Sequence, residues 1–86
     1  MSDPIASAGD LFLHEGMVGL TVFNQNGIKE FRMKEGYVFT ILERNPNDDF
    51  GTKHFKVLMA NTGKIHYILE RDFDAWLSRK YIKKIG

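Results

Sequence analysis

The sequence predicts a mainly β domain: a small five-stranded antiparallel barrel with one short helix near its C-terminus. Three observations predict it. Five runs rich in β-branched and aromatic residues fall between Met17 and Glu70. Turn signals separate them, among them "NQNG", "KEG" and "NTGK". After Glu70 the apolar spacing changes from alternation to the period of a helix.

The elements follow in order. "MSDPIASAGD", residues 1–10, reads as a flexible lead-in, and residues 11–86 as a single domain. "LFLHEG" is a short apolar run that ends in a turn at Glu15-Gly16. "MVGLTVF" is the first of the five strands. Asn26-Gly27 then marks a hairpin, since both residues tolerate positive φ. "IKEFRM" sets Ile28, Glu30 and Arg32 against Lys29, Phe31 and Met33. Gly36 lets the chain turn sharply, and "YVFTIL" resumes as a strand. Both faces of that strand are mostly apolar, which predicts a central strand covered on both sides. "NPNDDFGT" is a polar loop.

"KHFKVLMA" and "KIHYILE" are the last two strands, joined by a tight turn around Thr62-Gly63 that pairs Asn61 with Lys64. Their hairpin is apolar on both sides. Phe55, Val57 and Met59 share a face with His66 and Ile68; Leu58 and Ala60 share the other with Ile65, Tyr67 and Leu69. Leu11 to Leu13, or a second copy of the chain, is expected to cover the outer side. Asp72 caps a helix whose apolar face holds Phe73, Trp76, Leu77 and Tyr81. That helix is expected to fold back over one mouth of the barrel. "YIKKI" fits a helix end or a strand equally well.

Eighty-six residues make one domain, near the lower limit for a single apolar core. Hydrophobic content of 43% and aromatic content of 13% fit a globular chain. Cysteine is absent, which excludes disulfides and thiolate metal sites and suits a cytoplasmic location. No apolar run reaches the roughly 18 residues of a membrane-spanning helix. Residues 1–50 carry four basic and eight acidic side chains, and residues 51–86 carry eight basic and three acidic ones. Such an asymmetry can steer an anionic partner to one side, unless folding mixes the halves.

"MKEGYVFTIL" resembles the segment of Src-homology-3 domains in which a Lys-x-Gly turn leads into an apolar strand. "HFKVLMANTGKIHYI" is similar to that family's next hairpin, and "KYIKKI" to its C-terminal tyrosine and last strand. The resemblance spans roughly residues 17–86 and implies a barrel that docks peptides in a shallow aromatic groove. The groove positions it implies are Phe23, His54 and Tyr81. Other groove positions have lost their character: the first aromatic of the ALYDY-type motif falls on Thr21, and the groove proline on Ser78.

Chemistry is sparse. His14, His54 and His66 lack metal-ligand spacing, so no metal and no cofactor is expected. Asp48-Asp49 reads as a solvated turn, and Asp72 with Asp74 as a helix start. No nucleophile elbow, phosphate loop or metalloprotease motif occurs, so the chain reads as a non-enzyme. The expected function is an interaction module docking a protein or peptide, with a homo-oligomer also possible and no membrane partner. The alternative is nucleic-acid binding through Lys56, Lys64, Arg79, Lys80, Lys83 and Lys84, with rings interleaved.

Overall fold

The computed structural model describes residues 7–46 and 50–86. Seven strands and one helix follow one another: β1 (Leu11–His14), β2 (Leu20–Phe23), β3 (Lys29–Met33), β4 (Val38–Arg44), β5 (His54–Met59), β6 (Lys64–Leu69), α1 (Glu70–Ser78) and β7 (Ile82–Lys84). They form one antiparallel sheet in the order β3-β2-β6-β5-β4-β1-β7.

The count of seven, rather than five, comes from β1 and β7. Their four and three residues are too short for a period of two to stand out. They form because each has a partner ready: Phe12 pairs with Phe39 on one side and with Lys84 on the other. Leu11 to Leu13 is therefore part of the sheet and not its cover, and Phe12 is fully buried in the core. Of the expected lead-in, residues 1–6 lie outside the described residues, as do Asp48 and Asp49. Residues 7–10 form a turn fastened to β4, with the Gly9 N–H donating to Ile41 O at 2.8 Å. The Ser7 N–H, followed by the Lys84 ammonium 3.6 Å away, holds the Asp10 carboxyl below its ordinary range.

Between β3 and β4 the chain reverses at Lys34–Tyr37. Gly36 has φ 92°, the Tyr37 N–H donates to Lys34 O at 3.2 Å, and the Gly36 N–H donates to His14 O at 2.8 Å. This is the arrangement of a type II turn, whose third residue needs positive φ. The turn is thus tied to β1 as well as to itself.

The β5–β6 turn is wider than the sequence suggests. The ladder ends at Met59 opposite Lys64, and the Gly63 N–H closes the turn on Met59 O at 2.8 Å. His66 faces Val57 instead of Met59. The partner of each residue shifts by two positions, so every side chain keeps its expected face.

The helix begins two residues before Asp72. Leu69 occupies the cap position with no side-chain hydrogen bond, and the Glu70 N–H donates to Lys53 O instead. Asp72 lies in the first turn, where its charge suits the helix dipole. The helix stops because Lys80 enters the left-handed region at φ 62°. The Lys80 N–H then donates to Leu77 O and the Tyr81 N–H to Trp76 O, the two bonds of a Schellman motif. Tyr81 therefore leaves the helical face it was expected to share with Phe73, Trp76 and Leu77. The chain after it is strand.

Inner faces of the strands build one core, with Phe12, Phe39, Phe55 and Phe73 at its centre. The Phe73 ring meets Phe12 edge-on at 5.0 Å and lies 4.7 Å from Phe55, so α1 covers the inner side of the sheet. The outer side is not covered throughout. On β4, Phe39 and Ile41 are buried, Val38 and Thr40 are half-buried and Leu42 is exposed, so the outer side of this strand is only partly covered.

Candidate functional site

Four rings gather on the outer face where β2, β5 and β6 meet. β2 pairs with β6 at Phe23 opposite Tyr67, and His54 opens β5 two ladder positions from Tyr67's own partner, Lys56, and so on the same face. Phe50 arrives from the loop before β5. It stacks on His54 with centroids 4.2 Å apart and on Tyr67 at 5.7 Å, and meets Phe23 edge-on at 6.3 Å. The His54 ring is fixed from below by Nδ1, 2.7 Å from Thr52 O. Tyr67 and His54 are buried under this cover, while Phe23 and Phe50 are half-buried and reach the surface.

Two depressions flank the cluster. On one side Thr52, Lys53, Leu69, Glu70, Arg71 and Asp74 line a cleft of about 440 Å³ between the loop and the start of α1. On the other, Asn24, Gln25, Asn26, Glu30, Lys56, Ile65 and Tyr67 line one of about 380 Å³ beneath the β2–β3 hairpin. The Asn24 side chain shapes that hairpin, accepting hydrogen bonds from the N–H groups of Asn26 and Ile28.

The expected groove was Phe23, His54 and Tyr81. The fold brings Phe23 and His54 together through Phe50. Tyr81 is elsewhere: it packs partly buried against the core beside Gly16, and it makes no ring contact with the cluster among the described residues. Its place after the helix turn, set by Lys80, is the cause. Phe50 and Tyr67 complete the cluster unforeseen. The signal for Tyr67 was its place on the outer face of the hairpin; a phenylalanine inside a polar loop gave none.

The basic residues do not converge. Lys56 lies on the outer face of β5, and Lys64 opens β6 beside the turn. Arg79 and Lys80 end the helix, and Lys83 lies on β7, four strands from β6 in the sheet. Lys84 is engaged with Asp10.

His66 sits on the inner face in a separate network. Its Nδ1 is 2.7 Å from Glu30 Oε1, and its Nε2 is 2.9 Å from Thr62 Oγ1. The order hydroxyl, imidazole, carboxylate is that of an acyl-transfer relay. Here the hydroxyl also accepts the Lys64 N–H, and the neighbouring Gly63 N–H, a natural oxyanion donor, is committed to Met59 O. What the network does is fasten the β5–β6 turn to β3. His54 lies three ladder positions from His66, about 10 Å rather than the expected 16 Å, and on the opposite face. No three histidine or carboxylate side chains come together as a metal site among the described residues.

No family model matches the chain, and neither a curated protein nor a solved structure does.

Proposed function

We propose that this protein is a non-enzymatic interaction module on a Src-homology-3-like barrel, docking a protein or peptide segment across the ring cluster. The observation that carries this is Phe50. It lies flat over His54 and Tyr67 and forms, with Phe23, an apolar ridge between two clefts. Half-buried rings held in place by stacking lose little freedom on binding, which makes them good anchors. The clefts on either side offer room and polar groups for the flanking residues of a bound segment. The barrel reading is supported by the order of pairings: a hairpin, a sharp turn, a three-strand meander, a short helix, and a last strand that returns to the first.

Peptides selected from a displayed random library should bind with an affinity that falls about tenfold or more in Phe23→Ala and in Phe50→Ala. Selected peptides indifferent to both substitutions would refute the site. Fluorescence anisotropy with single-stranded RNA and DNA at two salt concentrations tests the other reading. Tight binding with a steep salt dependence would favour nucleic acid over peptide, because phosphate contacts release counterions.

A further inference from the structure

The outer face beyond the ring cluster is open, and its residues fall in register. Thr40 is opposite Leu11 on one side and Leu58 on the other, and Leu58 is opposite Ile65. The Ile85 N–H donates to Leu11 O, which carries the row across to the end of β7. One line thus runs Ile85, Leu11, Thr40, Leu58, Ile65, over five strands and about 19 Å. Leu58, Ile65 and Ile85 are 39%, 46% and 50% exposed. Leu42, the extra residue of the β4 bulge, lies beside the row and is also exposed. Leu11 to Leu13 cannot cover this face, because the segment is a strand of the sheet, with Phe12 turned into the core.

We infer that this face binds a second copy of the chain, across a two-fold axis that runs along the strands between β4 and β5. Three features of the surface match themselves under that operation. Leu58 of one copy meets Thr40 of the other, and Ile65 meets Leu11. In the next row Glu43 is paired across the ladder with Lys56, and neither has an ion-pair partner among the described residues. The axis sets each Lys56 over the other copy's Glu43. At the ends of the row, exposed Ile85 falls beyond Ile65, where the cleft under the β2–β3 hairpin opens. A knob at one end and a hole at the other make the strip self-complementary, as an isologous contact requires. The patch is at the small end for stable interfaces, so the dimer is a weak one that forms with concentration. The dimer shares only the cleft under the β2–β3 hairpin with the peptide site: Phe23, Phe50 and the helix-side cleft stay open in it.

Sedimentation velocity from about 1 μM to 1 mM, the range of weak association constants, tests it. The expected result is a mass rising from one chain toward two. Leu58→Glu should weaken association about tenfold or more while leaving the circular-dichroism melt unchanged, since Leu58 is exposed in the single chain. Glu43→Lys should weaken it as well, and the exchange Glu43→Lys with Lys56→Glu should restore it. A single chain at every concentration would overturn the inference. So would a dimer indifferent to Leu58→Glu, or a charge exchange no tighter than Glu43→Lys alone.

Discussion

The two ends of the same outer face differ sharply. Near the start of β5, His54 and Tyr67 are buried although they point away from the core. Near the end of β5, Leu58 and Ile65 point the same way and are open. Strand pattern does not explain the difference, because both ends alternate alike. What differs is the cover: the loop before β5 lays Phe50 over the first end, and β2 sets Phe23 beside it. Burial on a sheet's outer face is decided by what the loops bring to it. The inner face needs no such help, because α1 delivers Phe73 to all of Phe12, Phe39 and Phe55.

Four substitutions sharpen that contrast, and urea unfolding reads each of them. Phe73→Ala empties the centre of the inner face and should cost about 3–5 kcal/mol, the usual range for a buried ring. A loss below about 1 kcal/mol would mean the helix is not the cover of the core. Tyr67→Ser removes a buried outer ring and should cost about 1.5–3 kcal/mol. An unchanged midpoint would put the covered end on the same footing as the open one. Phe50→Ala should cost about 1 kcal/mol, the scale of aromatic pairing beyond simple burial, and should make His54 and Tyr67 accessible. Histidine modification by diethylpyrocarbonate, followed by mass mapping, would reveal His54 only in that variant; equal labelling before and after argues against the cover. Leu58→Ser should change the stability of the single chain by less than about 0.5 kcal/mol, as exposed positions do. A larger loss at low protein concentration would mean that something within the chain covers the open end.

Much of this was legible in the residues. The alternation of Phe55 to Met59 and of His66 to Ile68 gave the two faces of the hairpin, even though the turn was placed wrongly. A two-position slip leaves the faces unchanged, so it alters the cross-strand partners and the His54–His66 spacing but no side chain's face. The candidate site was legible in half. Phe23 and His54 came from the family likeness, whereas Tyr81 was carried away by a lysine in a left-handed turn that no propensity predicts. Phe50 was invisible because its role depends on where a loop happens to cross.

What the sequence determined by itself is local. Positive φ at the third place of the Lys34–Tyr37 turn requires a residue such as Gly36, and the turn forms there. The spacing of Phe73, Trp76 and Leu77 makes an apolar helical face whatever surrounds it. The tertiary structure decided what is shared between distant segments. β1 and β7 are too short to declare themselves and exist as strands because β4 offers the first of them an edge and each then completes the other. The choice between helix and strand at Ile82–Lys84 was settled in the same way. Three residues gain little from their own propensity, but paired hydrogen bonds to β1 and a buried Ile82 hold them extended.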